Sequence, residues 1–297
     1  MNYLVIMPAY DEENYIGRTI DSLILQSLPP AKLVVVDDGS RDATNSIAES
    51  YCRKYPWIHL VKNLHHSNRA IGTKVVEAFN LGYQTVEEKY DFIVKMDADL
   101  SLPPDYFKTI AGHFVQNPKL GIAGGRLMVE KNDRWFEEYS SDRDHVKGAC
   151  KSYRSACFRD IGGILASIGW DTADELLARY HGWQIFVDLV LEIKHHRKMG
   201  SLTGSLSIQR LAGHGMYRLR YGLPITFTSA IKAGFLNRPH GLTGLMVLIG
   251  WFQSWINKES FIVGTDEGRF IRNYRLHRMM GKVHSALNHT TKQQHLV

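Results

Sequence analysis

The chain has 297 residues, of which 44% are hydrophobic and 22% charged, which excludes disorder, a collagen-like repeat or a coiled coil as its main architecture. Its three cysteines, Cys52, Cys150 and Cys157, form neither a disulfide framework nor a CxxC zinc spacing, and they fit a reducing compartment. The net charge of +6 hides a division: residues 194–297 carry 15 Lys+Arg against 3 Asp+Glu, and residues 1–193 carry 21 against 27. An acidic N-terminal two-thirds thus precedes a basic third suited to an anionic partner, a membrane surface or nucleic acid.

In chain order, Tyr3–Met7 is an apolar run ending at Pro8 and reads as a buried strand. It is too short for a signal-peptide core, and acidic residues follow at once. Ile16, Ile20, Leu23 and Ile24 recur at helical spacing before Pro29 and Pro30. Leu33–Val36 is a β-branched strand leading into Asp37-Asp38-Gly39-Ser40. Asp42 to Lys54 predicts a helix, Ile58–Val61 a third strand, and Val75, Val76, Phe79 and Tyr83 a further helix. Phe92–Met96 is a fourth strand, ending in Asp97-Ala98-Asp99. The helix marked by Tyr106, Phe107, Ile110 and Phe114 and the strand Gly121–Val129 follow.

This alternation predicts an α/β fold with a mostly parallel sheet covered on both faces. Ligands of such sheets lie beyond the carboxyl ends of the strands, where the acidic clusters of this chain fall. After residue 130 the pattern loosens. Asp171–Tyr180 reads as a helix and Trp183–Leu189 as a strand, followed by the basic run 194–198, an amphipathic stretch, the uncharged segment 241–257 and a basic end. A division at 193/194 separates an acidic α/β domain from a helical, basic C-terminal extension.

Three segments carry the chemistry. Asp97 and Asp99 sit at i and i+2 after a strand, so extended backbone points both carboxylates one way. Such a pair suits Mg²⁺ or Mn²⁺ and leaves positions open for phosphate oxygens, whereas two solvated loop aspartates are the plain alternative. At the second strand end, a carboxylate can accept hydrogen bonds from a base or ribose, although Asp, Gly and Ser equally make a turn and helix cap. In Pro8-Ala9-Tyr10-Asp11-Glu12-Glu13, Tyr10 can stack on a base and Glu12 can bind a hydroxyl, or the segment is a surface loop.

Together, the texts VIMPAYDEEN, VVVDDGSRD, NRAIGTKVVEAFNLG and KMDADLSLPPDY resemble family 2 of the inverting nucleotide-sugar glycosyltransferases, with the GT-A fold, over residues 1–190. One departure is Asp11, where the family usually has asparagine. The resemblance implies that Pro8, Ala9, Tyr10, Glu12 and Asp38 hold the nucleoside. It implies that Asp97, Ala98 and Asp99 hold the sugar-diphosphate, with Asp97 and Asp99 on the metal, and that Arg69 and Lys74 stand near the nucleotide. His196, beside His195 and Arg197, is implied as a third metal ligand, with His214 as a weaker candidate. Register against Gly182 implies Asp171 as the base, with Asp174 and Glu175 as alternatives, while Asp171 and Asp174 equally read as a helix N-terminal capping pair. Arg154 reads either as a phosphate contact or as a surface helix arginine.

The implied activity is transfer from a nucleotide-diphosphate sugar, UDP-sugar by family habit, to a glycan or lipid-linked acceptor. Trp251 and Trp255, one helical turn apart in the uncharged segment, suggest a peripheral contact with an anionic membrane, on the cytoplasmic face. Aromatic–basic interleaving is sparse, so nucleic acid is not expected. The alternatives are a catalytically silent binding subunit and a nucleotidyltransferase, the latter lacking its glycine-rich loop after the first strand.

Overall fold

The computed structural model describes residues 1–63, 73–138, 144–197 and 205–294, with side chains through 281 except that of Ser205. The chain forms two compact units, Met1–Met199 and Gly200–Val297.

In the first unit, β1 (Tyr3–Ala9), β2 (Lys32–Asp37), β3 (Ile58–Lys62) and β4 (Phe92–Met96) form a parallel block in the order β3-β2-β1-β4. The sheet continues through β8 (Cys150–Arg154), β6 (Leu120–Lys131), β9 (Gln184–His195) and β5 (Leu100–Ser101), with β7 (Arg134–Glu137) beside β6. The continuation is mixed. β6 and β9 run parallel, but the β4–β8, β6–β8, β6–β7 and β5–β9 pairings are antiparallel. The mostly parallel reading therefore holds for the N-terminal block and not for the whole sheet.

Both faces are covered, so the central strands are buried throughout and read as continuous apolar runs. Tyr3, Val5, Met7, Phe92 and Val94 pack under α1 (Ile16–Ile24), α2 (Thr44–Lys54) and α4 (Tyr106–Gln116). The opposite face, with Ile6, Val34 and Val36, meets α3 (Lys74–Gln84) at Gly82. The helix α5 (Ser155–Asp160) packs against β4, β6 and β8, and α6 (Trp170–Tyr180) against β6 and β9. Two elements depart from the sequence pattern. β8 lies in a stretch with no period-2 alternation, and β9 runs to His195, past both Leu189 and the 193/194 division, because a register shift near Asp188 interrupts its alternation.

The second unit is helical, with α7 (Ser205–Arg218), α8 (Gly222–Leu236), α9 (Leu242–Ile256) and α10 (Thr265–Gln294). Glycines bring α7 and α9 into backbone contact. A Cβ on Gly213 would lie 2.0 Å from the Val247 carbonyl oxygen, and one on Gly250 would lie 1.9 Å from that of Arg210. Trp251 turns inward, 7% exposed and edge-on to Tyr217, so it is a core residue and not an interfacial anchor. Trp255 is 58% exposed. Among the described residues no helix is long and apolar enough to cross a membrane.

Candidate active site

The carboxyl ends of β1, β2 and β4 open into a cavity of about 560 Å³. Pro8, Ala9, Tyr10, Glu12, Asp38, Lys74, Asp97, Ala98 and Asp99 all line it, joined by His195 and Arg197. Arg69 lies outside the described residues.

The loops are cross-braced. Asp11 sits at φ 51°, a left-handed conformation that Asn and Asp tolerate best after glycine, which explains why aspartate can stand where the family has asparagine. Its carboxylate accepts the Arg41 backbone N–H at 2.8 Å, and its own N–H donates to Ser40 Oγ at 3.0 Å. Glu12 N–H donates to Thr44 Oγ1 at 2.7 Å. Asp37 folds the second loop by accepting from Ser40 N–H and Asn45 Nδ2, both at 2.9 Å. Asp38 is left facing the cavity, where it accepts from Asn63 Nδ2 at 2.6 Å. Thr19 fixes the third loop by donating to the Ala98 carbonyl at 2.7 Å and accepting from Leu100 N–H at 3.1 Å.

Three of the cavity acids, Glu12, Asp97 and Asp99, have cationic partners. Lys95 Nζ pairs with Asp97, His195 Nε2 lies 3.1 Å from Asp99 Oδ2, and Arg197 bridges Glu12 Oε1 and Asp99 Oδ2, its Nε 3.4 Å from the latter. Burial pushes Glu12 up to about 7 despite Arg197. Burial also works against ionisation of Asp99, but His195 and Arg197 outweigh it and hold Asp99 low. His195, not His196, is therefore the histidine at the acidic pair. Successive strand residues point oppositely, and His196 turns away to Ser101 Oγ at 2.8 Å and Arg18 at 3.2 Å. His214 belongs to the second unit, where it meets Ser254 Oγ at 2.7 Å and Glu259 Oε1 at 3.2 Å. Arg154 is neither a phosphate contact nor a helix arginine. It ends β8 and donates to the carbonyls of Leu120 at 2.8 Å and Asn117 at 3.0 Å, and to that of Phe114.

A second acidic cluster surrounds the start of α6. Lys151 on β8 is fully buried and is the register partner of Lys95 on β4. Such a like-charged neighbour is tolerated because each lysine has its own acids: Lys151 meets Asp174 Oδ1 at 3.0 Å and Glu175 Oε1 at 3.1 Å. Asp174, 1% exposed, also accepts from Tyr153 Oη, so both its oxygens are occupied and it serves the core instead of an acceptor. Asp171 is partly exposed. His145 Nε2 lies 3.4 Å from its Oδ2, and His145 Nδ1 lies 3.2 Å from Glu175 Oε2. Burial opposes ionisation of Asp171, but His145, Lys151 and Lys95 outweigh it and lower the carboxyl to about 2. Lys95 joins the clusters: its Nζ donates to the Gly148 carbonyl at 2.8 Å and stands 5.2 Å from the Trp170 ring centre. Gly148 must be glycine here, since a Cβ would come within 2.8 Å of the Trp170 ring. The sequence does not single out His145 and Lys151, whose ion pairs build this cluster. Their partners lie more than twenty positions away, and no local motif marks them.

The acid-lined cavity thus lies at the ends of three strands, and Asp171, partly exposed and paired with His145, belongs to the second cluster. The model of glycosyl transferase family 2 matches residues 4–164, more than half of the chain, and the chain belongs to that family. It is 32% identical over 136 residues to the undecaprenyl-phosphate mannosyltransferase of Micrococcus luteus, covering 46% of this chain and 53% of that protein. It is 27% identical over 124 residues to the minor teichoic acid biosynthesis protein GgaA of Bacillus subtilis, covering 41% and 26%. The matched stretches thus span about a quarter to a half of these relatives. Among solved structures, the mannosyltransferase PcManGT of Pyrobaculum calidifontis, in complex with GDP-Man and Mn²⁺, matches with TM-score 0.56 at 14% identity, over 94% of this chain and 80% of that one. S. aureus TarS 1-349 in complex with UDP-GlcNAc matches with TM-score 0.55 at 16% identity, over 91% and 78%. The fold is GT-A, with an additional helical unit.

Proposed function

We propose that this glycosyltransferase moves a sugar from a nucleoside-diphosphate sugar to a hydroxyl of a lipid-linked or polysaccharide glycan by a single inverting displacement. The observation that carries the reading is the acid-lined cavity at the ends of β1, β2 and β4. Its volume suits a nucleotide sugar. Tyr10, 46% exposed, offers a face for the base, and Asp38 offers an acceptor for nucleoside donors. A UDP-sugar is the first donor to test, because TarS is described with UDP-GlcNAc, and a GDP-sugar the second, because PcManGT is described with GDP-Man.

The donor set fits a divalent cation such as Mg²⁺ or Mn²⁺. One oxygen each of Asp99 and Glu12 is buried without a hydrogen-bond partner. Among the described residues no group of three side chains makes a complete metal site, so Asp97 and Asp99 would hold such an ion jointly with diphosphate oxygens. Bound there, it would supply charge stabilisation for the leaving diphosphate. Asp171 accepts the proton of the attacking hydroxyl as the new bond forms on the face opposite the leaving group. Its low proton affinity keeps it ionised across the physiological range, and Asp174, buried and fully bonded, is set aside as a base.

The acceptor's lipid would be met by the second unit. Leu223, Phe227, Ile231 and Phe235 form an exposed stripe along α8, and Leu242, Leu245, Phe252 and Ile256 form one along α9. Arg238 and His240 are exposed between them, and residues 200–297 carry 12 Lys+Arg against 3 Asp+Glu. Apolar stripes within a basic unit are complementary to an anionic bilayer surface. Incubation with a panel of UDP- and GDP-sugars and Mn²⁺ tests the core of the reading: metal-stimulated release of the nucleoside diphosphate from one of them is expected. Release from none, with nucleoside triphosphate and sugar phosphate condensed instead, would make the chain a nucleotidyltransferase.

A further inference from the structure

We propose that Arg197 is the resident counter-ion of the donor cavity. It occupies the Glu12 and Asp99 carboxylates in the nucleotide-free protein and passes to the diphosphate when a donor binds, so that these carboxylates accept a divalent cation only together with a nucleotide. The inference rests on the donor-site reading above and adds to it an order of loading.

Glu12, Asp97 and Asp99, three of the acids at the cavity, are each paired with a cation. The three cations differ in freedom. Lys95 is 3% exposed and is also bound to the Gly148 carbonyl. His195 is 11% exposed and ends a paired strand. Arg197 is 33% exposed, lies two residues beyond the last strand residue, and contacts two acids at once. It is the cation of the three that can leave without opening the core.

Its grip is incomplete. Glu12 Oε2 and Asp99 Oδ1 are both buried, and neither has a hydrogen-bond partner. A buried carboxylate oxygen without a partner costs stability, and a hard cation satisfies it better than a guanidinium that reaches only the other oxygen. An ion arriving alone would stand against the guanidinium, and like charges at that range repel. An ion arriving with a diphosphate gives the guanidinium a phosphate to hold, which its forked donors fit. The exchange moves one cation from carboxylate to phosphate and breaks no covalent bond.

The test is Mn²⁺ binding, read from the electron paramagnetic resonance of free Mn²⁺, for wild type, Arg197→Gln and Arg197→Lys, each alone and with UDP or GDP. Thermal melts confirm that the variants are folded. Wild type should bind Mn²⁺ weakly alone and at least about tenfold more tightly with its nucleotide. Arg197→Gln should bind Mn²⁺ alone at least about tenfold more tightly than wild type, and the nucleotide should then add little. Arg197→Lys, which keeps the charge, should resemble wild type in the absence of nucleotide. If wild type binds one of the two nucleotides with Mn²⁺ and folded Arg197→Gln binds Mn²⁺ alone no more tightly than wild type, the counter-ion role is overturned and the donor site stands. If wild type binds neither nucleotide, the donor-site reading is overturned and this inference with it.

Discussion

Two clusters in the catalytic unit have nearly the same composition and opposite fates. Around the cavity, Glu12, Asp97 and Asp99 meet Lys95, His195 and Arg197; around α6, Asp171, Asp174 and Glu175 meet Lys151 and His145. In the first, one buried oxygen each of Glu12 and Asp99 has no hydrogen-bond partner, beside an open cavity. In the second, Asp174 is bonded on both oxygens and sealed, and burial pushes its carboxyl up to about 7 despite Lys151, so its bonds hold the fold, whereas Asp171 keeps a partly exposed carboxylate. The lesson is that residue type does not separate a binding acid from a structural one. Whether the oxygens are satisfied, and whether solvent reaches them, does.

Substitution should divide the clusters in the same way. The largest effect is expected from Asp99→Ala, which removes a carboxylate with no replacement at the diphosphate. Turnover should fall by about 10³-fold or more, with the melting temperature little changed. Asp171→Asn keeps the shape and removes the proton acceptor, so kcat should fall by about 10² to 10⁴-fold. The paired control is Asp174→Asn, expected to lower the melting temperature while the folded fraction transfers sugar within a few-fold of wild type. If the two aspartates exchange these phenotypes, the base lies one turn along α6.

Next in size is a stability effect. Lys151→Met leaves Asp174 and Glu175 buried without their cation and should destabilise the protein by about 3–5 kcal/mol, measured by chemical denaturation.

His145 gives the second cluster a pH signature. Burial works against its protonation, but the Asp171 and Glu175 carboxylates outweigh that and raise it to about 9 from an ordinary 6.5. A group raised on folding contributes stability that is fully present below its unfolded value and is lost as pH rises through the folded one. Wild type should therefore lose stability between about pH 6.5 and 9, with His145 contributing about 3 kcal/mol at most, and His145→Gln should show a clearly shallower slope over that window, since Glu12 and His195 still titrate there. Equal slopes for the two proteins would remove His145 from the cluster's electrostatics.

The sequence made the first cluster legible and hid the second for physical reasons. Asp97 and Asp99 follow an uninterrupted apolar strand, so their placement follows from the strand end. Lys151 reads as a surface residue because a lysine is almost never fully buried unless paired, and its partners are 23 and 24 positions away. His195 and His196 were not separable without knowing that β9 continues past its irregularity at Asp188. The helical period sets Trp251 and Trp255 on the same face, but nothing local shows that Tyr217 closes over the first.

The smallest effects concern the second unit. Phe227→Ser with Phe235→Ser should weaken flotation with anionic vesicles and leave turnover on a soluble acceptor unchanged. Trp251→Ser should lower stability instead, by about 3–5 kcal/mol, as loss of a large core side chain does. Vesicle binding that ignores the two phenylalanines would assign the α8 stripe to another protein surface.

The most direct test of the division between binding acids and base is calorimetric titration of Asp99→Ala and Asp171→Asn, side by side, with the nucleotide sugar that supports turnover and Mn²⁺. Asp171→Asn should bind donor within about twofold of wild type, and Asp99→Ala should bind it at least about tenfold more weakly. Equal loss of donor affinity in both variants would contradict the assignment of Asp97 and Asp99 to the diphosphate and Asp171 to the acceptor.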